Sequence, residues 1–131
     1  MKEFTSTYEG ITRELTTDIE IESALNPIER VKIKAIWDTG SLYTIITPET
    51  IKRLKLTCIS LTTISSITDK NKLSKMYMAH LYLPNNIKCE TFVYEANPIN
   101  CDILIGMDVI SRGLFIIDNL ENNTKFTFKL P

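Results

Sequence analysis

Apolar residues recur at every second position through most of this sequence, and this period limits the fold more than any other feature. In the stretch VKIKAIW, apolar side chains alternate with Lys32 and Lys34. Such alternation is typical of a strand with one buried face. The sequence therefore predicts an all-β domain, with strands at Thr17–Ser23, Val31–Trp37, Leu42–Ile46, Ile59–Ile67, Leu73–Leu83, Ile87–Glu95, Ile103–Ile105, Leu114–Asp118 and Thr124–Leu130.

Two short helices are expected between the strands. Thr47-Pro48-Glu49 combines a hydroxyl cap, a proline suited to the first helical position and an acid in the first turn, which predicts a helix at Pro48–Leu54. A second helix of one to two turns is predicted at Met107–Arg112. Gly113 would end it, because glycine readily adopts the left-handed backbone that follows many helices.

Length and charge exclude several classes of protein. The 131 residues suit one domain, spanning residues 1–131, with one core. A formal net charge of -1 lacks the basic footprint of nucleic-acid binding. No apolar run approaches the roughly 18 residues of a membrane span, and the first residues lack the apolar stretch of a signal peptide. We therefore expect a cytoplasmic protein that binds neither nucleic acid nor membrane.

The cysteines give no sign of a disulfide framework or of a metal site. Cys58, Cys89 and Cys101 are odd in number and widely spaced, which fits neither paired bridges nor a zinc pattern. We expect three reduced thiols, mostly buried. The sequence also has no glycine loop for phosphate, and it predicts no metal ion and no cofactor.

A polar motif interrupts the apolar pattern at the end of the strand Val31–Trp37. Asp38-Thr39-Gly40-Ser41 follows directly, and the sequence then becomes apolar again. These residues would make a good turn in any β-barrel, because Asp bonds its own backbone and Gly accepts positive φ. A second interruption comes 68 positions after Asp38, where the apolar run Ile103–Ile105 stops at Gly106 and a short helix begins. An isolated turn does not explain both.

This pair of motifs resembles that of the retropepsin-like aspartic proteases, in the family's order and over about residues 11–130. The stretch Ile-Gly-Met-Asp at positions 105–108 is most similar to bacterial members and to the protease domain of the DNA-damage-inducible ubiquitin-shuttle proteins. The resemblance implies an aspartic-type endopeptidase. Enzymes of this type are the standard example of an active site in which two carboxyl groups about 3 Å apart share one proton. One carboxylate activates a water, and the carboxylic acid polarises the peptide carbonyl.

The resemblance also implies a role for each motif residue. One Asp-Thr-Gly supplies one aspartate, so the catalytic unit would be a homodimer with an Asp38 from each subunit. Thr39 would bond across to the facing loop, Gly40 would let two loops approach, and Ser41 would donate to Asp38. The second motif, Ile105 and Gly106, would pass closely behind the Asp38 loop. The strand Thr124–Leu130 would pack its aromatic residues inward and pair one edge with the partner.

One part of the pattern departs from the family. Retropepsins cover their polypeptide substrate with a glycine-rich hairpin tip, but the corresponding flap here contains no glycine. It consists of Ile67, Thr68, Asp69, Lys70 and Asn71. This departure concerns the clamping of substrate more than the pair of aspartates. The alternative function is a catalytically silent dimerisation or peptide-binding module that has kept the fold, although an intact Asp-Thr-Gly-Ser favours the peptidase.

Three further residues have ordinary structural explanations. Trp37 precedes the aspartate but, as an inward strand residue, is expected in the core. His80 has no metal ligand at a suitable spacing, so a surface or packing role is expected. Asp108 resembles an acid of the family's second motif, and we expect it to cap or anchor its own short helix.

Overall fold

The computed structural model describes residues 2–64, 72–97 and 100–131. Within these ranges the chain forms ten strands and two short α-helices, which confirms the all-β prediction. The strands are β1 (Lys2–Thr7), β2 (Leu15–Ser23), β3 (Val31–Trp37), β4 (Ile45–Ile46), β5 (Ser60–Ile64), β6 (Lys72–Leu83), β7 (Ile87–Glu95), β8 (Ile103–Ile105), β9 (Leu114–Asp118) and β10 (Lys125–Leu130). The helices are α1 (Pro48–Leu54) and α2 (Met107–Ile110).

Six strands close into a barrel. Their hydrogen-bonded order is β2-β3-β8-β4-β7-β6, and the pairing of β6 with β2 completes the ring. β5 pairs only with β6 among the described strands and extends from the barrel as one arm of a hairpin. The core is filled by alternate residues of these strands, such as Ile21, Ala35, Leu81 and Val93, all with no exposed surface. The period of two thus places one face of each strand in the core.

A smaller antiparallel sheet packs beside the barrel. Its order is β1-β10-β9, with β10 in the middle. Phe126 and Phe128 of β10 are fully buried, as predicted, and Phe4 of β1 packs edge-on against Phe126 at a centroid distance of 5.7 Å. The prediction that β10 pairs its edge with a partner is wrong, because β1 and β9 occupy both of its edges.

The first helix follows its sequence signals closely. The Thr47 side chain accepts a hydrogen bond from the Thr50 amide at 3.2 Å, Pro48 opens α1, and Lys55 ends it in left-handed backbone. The second helix is shorter than predicted and ends at Ile110.

Gly113 has a different role from the predicted helix stop. It does not adopt positive φ. A Cβ on Gly113 would instead lie 2.9 Å from the carbonyl carbon of Lys129, so this glycine lets the chain pass close to β10.

The cysteines are unpaired but differ in exposure. Cys89 is buried, Cys101 is half-buried and Cys58 is exposed. The prediction of mostly buried thiols is therefore wrong for Cys58, which follows α1 in an irregular stretch before β5.

Candidate active site

The two motifs of the sequence lie side by side. β3 pairs in parallel with β8, with Trp37 opposite Ile105. The amide of Asp38 continues this pairing and donates to the carbonyl of Ile105 at 2.9 Å. Asp38 therefore begins its loop from a fixed point on the barrel, beside the second motif.

The loop itself sets the direction of the Asp38 carboxylate. The amide of Gly40 donates to Asp38 Oδ1 at 2.8 Å, and the amide of Ser41 donates to the Asp38 carbonyl at 3.2 Å. Asp38 is half-buried, whereas Thr39 and Gly40 are exposed. The loop thus presents Thr39 and one face of the carboxylate at the surface of the single chain.

Ser41 does not make the bond that the resemblance implied. Its hydroxyl donates to the carbonyl of Tyr43 at 2.7 Å, two residues further along the loop. The local turn provides a nearer acceptor than the Asp38 carboxylate. Ser41 therefore stabilises the backbone after the motif rather than the charge of Asp38.

Gly106 is needed for close approach, as predicted. A Cβ at this position would lie 2.7 Å from the Tyr43 carbonyl carbon and 2.8 Å from the Ser41 carbonyl oxygen. Both atoms belong to the backbone and cannot rotate away. Only glycine lets the second motif lie this close to the Asp38 loop.

The expected strand Leu42–Ile46 is only partly formed. Ile45–Ile46 pairs with β7 and β8, but Leu42 lies in the loop and is 70% exposed. Tyr43 turns toward Tyr94 of β7, with ring centroids 4.8 Å apart. Leu42 is thus an exposed apolar side chain four positions after Asp38.

Thr44 and Asp108 are part of the site, and sequence reasoning missed their contact. The carboxylate of Asp108 accepts the Thr44 amide at 3.0 Å and the Thr44 hydroxyl at 2.6 Å. Asp108 does not cap its own helix, whose N-cap has no side-chain hydrogen bond. Burial, and next the negative charge of Asp108, raise the pKa of Tyr94. The acid in the second motif was the available signal, but its partner lies 64 residues away.

The core beneath Asp38 is aromatic. Trp37 is buried, as predicted, and its indole N–H donates to the Thr17 hydroxyl at 2.9 Å. Its ring lies within about 6 Å of aromatic rings from all three strands of the small sheet, at contact distances typical of stabilising aromatic pairs. These neighbours are Phe4, Phe115, Phe126 and Phe128, with centroid distances of 6.2, 5.9, 5.2 and 4.9 Å.

The predicted flap residues Ile67, Thr68, Asp69, Lys70 and Asn71 lie outside the described residues. The base of their hairpin is described: β5 and β6 pair from Ser60 opposite Met76 to Ile64 opposite Lys72.

Two cavities lie away from Asp38 itself. One, of about 270 Å³, lies between this hairpin, α1 and the end of β7, with Pro48, Leu61, Leu73 and Glu95 among its lining residues. A larger open groove of about 600 Å³ runs over the outer faces of β2, β3 and β6. The larger groove contains no motif residue, so its size does not make it the candidate site.

His80 is buried among charged groups rather than exposed. Its Nδ1 lies 3.0 Å from Glu22 Oε1 and its Nε2 lies 2.8 Å from Glu90 Oε2. These contacts connect β2, β6 and β7 on the outside of the barrel. His80 therefore has a packing role.

Neither a cluster of metal ligands nor a membrane-spanning helix occurs among the described residues. Within residues 2–64, 72–97 and 100–131, no group of three or more His, Cys, Asp or Glu side chains is arranged to hold a metal ion. In the same part of the chain, no helix has the length and apolar character needed to cross a membrane.

Solved structures share this arrangement of strands. A retropepsin-like aspartic protease from Rickettsia conorii aligns with a TM-score of 0.61 at 18% identity, over 97% of this chain and 92% of its own. The chain has a retropepsin-like fold. The retroviral protease-like domain of Ddi1 from Leishmania major aligns with a TM-score of 0.50 at 18% identity, over 89% of this chain and 95% of its own.

A third similar structure is part of a larger protein. A foamy viral protease-reverse transcriptase aligns with a TM-score of 0.55 at 20% identity, over 75% of this chain but only 12% of its own. No protein-family model matches the sequence, and no curated protein matches it significantly. The comparisons therefore establish the retropepsin-like fold, including its bacterial and Ddi1 resemblance, and leave the activity to the chemistry of the site.

Proposed function

We propose that the protein is an aspartic endopeptidase that acts as a homodimer, with one Asp38 from each copy. The observation that carries the proposal is the Asp38 loop, whose backbone is fixed to β8 while its carboxylate is only half-buried. A turn in a purely structural barrel needs no partly exposed acid fixed in this way. Two such loops around a two-fold axis would bring two carboxyls together.

In the proposed reaction the two carboxyls share one proton. The ionised carboxylate takes a proton from a water, which attacks the peptide carbonyl, while the other carboxylic acid donates its proton to the carbonyl oxygen. The tetrahedral intermediate then collapses: the C–N bond breaks, the first carboxyl passes the water's proton to the leaving nitrogen, and the second carboxylate takes its proton back from the oxygen. Gly40 holds Oδ1 of each Asp38 by its amide, so the carboxylates are oriented before substrate binds. The polypeptide substrate would bind in extended form, as an added strand alongside the β5–β6 hairpin.

The proposed dimer surface is the outer edge of β9. This strand is an edge of the small sheet, and Leu114, Ile116 and Ile117 are 51%, 39% and 48% exposed. An apolar edge of this kind readily pairs with another chain. Because Phe115 of the same strand packs against Trp37, a second copy docked on β9 would lie near the Asp38 loop.

The decisive test is peptide cleavage by the wild type and by Asp38→Asn. An equimolar set of extended peptides should be cut by the wild type and left intact by Asp38→Asn, while both proteins unfold at similar denaturant concentrations. Asp18→Asn, which changes an exposed aspartate on β2, is the matched control and should cleave normally. Cleavage that survives in Asp38→Asn would refute the proposal. A dimer that binds peptides without cleaving them would support the silent module instead.

The dimer is tested separately by Ile117→Lys. This change puts a charge on the proposed interface, so mass by light scattering should fall from twice the chain mass toward the chain mass, and activity should fall with it. Leu25→Lys, at a 58% exposed position between β2 and β3, should change neither. A monomeric Ile117→Lys protein with full activity would contradict the shared pair of aspartates.

A further inference from the structure

The loop that carries Asp38 is held along its length by the second motif. The amide of Met107 donates to the Ser41 carbonyl at 2.7 Å, and the amide of Asp108 donates to the Leu42 carbonyl at 3.2 Å. Both bonds join backbone to backbone. A third such bond, from the amide of Tyr94 to the Thr44 carbonyl at 3.0 Å, holds the end of the loop against β7. These backbone bonds leave the amide and the hydroxyl of Thr44 to be bound by a side chain.

The carboxylate of Asp108 binds both of these Thr44 groups. Its two oxygens accept the amide and the hydroxyl of Thr44, which has no exposed surface. The amide of Gly106 in turn donates to the Thr44 hydroxyl oxygen at 3.2 Å. Because that oxygen already accepts the Gly106 proton, its own proton is directed to Asp108. The three groups form a one-way chain of donors that ends on the carboxylate, an arrangement that charge strengthens.

The same loop determines where the Asp38 carboxylate points. Gly40 holds Asp38 Oδ1 through its amide, so the carboxylate follows the backbone of residues 38–44. Asp108 anchors that backbone at its far end, and the pairing of Asp38 with Ile105 anchors it at the near end. A loop held at both ends keeps the carboxylate in one orientation. Without the Asp108 bonds, the backbone bond to Tyr94 would hold only the Thr44 carbonyl, and the orientation of the carboxylate could vary.

We infer that Asp108 is a positioning residue, which holds the Asp38 loop through the amide and hydroxyl of Thr44 in the geometry that peptide cleavage needs. This inference rests on the proposed peptidase for its effect on catalysis. The clamp itself is a property of the folded chain and is measured without substrate. A misplacement of reacting groups by about 1 Å can cost about 100-fold in rate.

The test uses Asp108→Asn and Thr44→Val. In Asp108→Asn, the new side-chain amide can accept one of the two Thr44 donors but turns its own N–H groups toward the other. Thr44→Val keeps the shape of threonine without the hydroxyl. Both variants should lower kcat about 10- to 100-fold and change KM less than about threefold. Hydrogen exchange at the backbone amides of residues 40 and 44 should accelerate in both. Thr44→Ser keeps the hydroxyl and should recover most of the kcat that Thr44→Val loses.

Asp102→Ala is the matched control. Asp102 also uses its carboxylate to accept a backbone amide, that of Lys34 at 2.8 Å, but it does so at the other end of β8. It should lower stability without changing kcat or the exchange of the Gly40 and Thr44 amides.

The outcomes separate this inference from the proposed function. If the wild type cleaves no peptide, the proposed function fails, and faster amide exchange in Asp108→Asn still supports the clamp. Unchanged exchange and unchanged kcat in Asp108→Asn would overturn the inference. It would also be overturned if kcat fell only in proportion to the unfolded fraction, as expected for a merely structural residue.

Discussion

The buried carboxylate of Glu22 makes the stability of the barrel depend on pH. Glu22 is 8% exposed, and its Oε1 accepts the Tyr82 hydroxyl and lies 3.0 Å from His80 Nδ1. The Tyr82 hydrogen bond lowers the pKa of Glu22 most; burial acts in the opposite direction, and His80 and Arg30 lower it further. The net direction is below the usual value of 4.5. Ionised Glu22 therefore contributes stability above pH 4.5, which is lost as the pH falls through the folded pKa.

Glu22→Gln measures this contribution. The amide oxygen can still accept from Tyr82 and His80, but a hydrogen bond to a charged group is worth about 1.5–3 kcal/mol against about 0.5–1.5 for a neutral one. Two weakened bonds would cost about 2 kcal/mol, and relief from burying a charge offsets part of this. Arg30 adds little, because its Nε is 4.0 Å from Glu22 Oε2 and its side chain is 42% exposed. We expect a net loss of about 1–2 kcal/mol at pH 7.

The assay is urea unfolding at pH values from 7 down to 3. The difference in free energy of unfolding between wild type and Glu22→Gln should shrink as the pH falls below 4.5, because wild-type Glu22 becomes protonated and neutral like the amide. Glu20→Gln, two residues away and opposite Tyr82 in the strand register, removes the same charge and should stay within about 0.5 kcal/mol of wild type. A difference for Glu22→Gln that stays constant, or grows, as the pH falls from 4.5 to 3 would refute the reasoning.

Two further predictions concern the Asp38 loop. Gly106→Ala forces a Cβ against the backbone of Ser41 and Tyr43, so the free energy of unfolding should fall by about 1–3 kcal/mol and kcat should fall as well. The control is Gly113→Ala, whose Cβ is crowded against Lys129. It should lower the free energy of unfolding but keep kcat per folded molecule. Equal kcat in the two variants would show that the loop tolerates the change. Ser41→Ala should leave the pH profile of kcat/KM in place, because the hydroxyl donates to the Tyr43 carbonyl. A shift toward neutral pH would instead indicate a bond to the catalytic carboxylate.

Local signals predicted most of the fold. The predicted limits of α1 and of β7 agree with the structure. Their signals, the cap and proline at Thr47-Pro48 and the alternation of Ile87–Glu95, come from residues that are neighbours in the sequence. The contact between the two motifs was also predictable, since the resemblance implied that Gly106 lies against the Asp38 loop.

Contacts between distant residues were harder to predict. The Ser41 hydroxyl donates to the carbonyl of Tyr43, two residues away, and not to the expected carboxylate of Asp38. Asp108 bonded Thr44 rather than its own helix. In both cases the residue type was identified correctly and its partner was not, because a hydroxyl or carboxylate has several acceptors or donors within reach and only the packed backbone selects one.

The exposed edge of the small sheet was also hard to predict from the sequence, because it depends on pairing between distant strands. The stretch KEFTST contains one apolar residue, Phe4, and so gives almost no strand signal, yet it pairs with β10 along its whole length. Phe4 is the residue of this strand that packs into the aromatic cluster of Trp37 and Phe126. Once β1 covers one edge of β10 and β9 covers the other, an approaching chain meets β9 or β1 instead. Of these two, β9 carries the exposed apolar residues, and its Phe115 packs against Trp37, the residue before Asp38. The arrangement that hides the predicted interface strand thus leaves β9 as the exposed apolar edge of the small sheet.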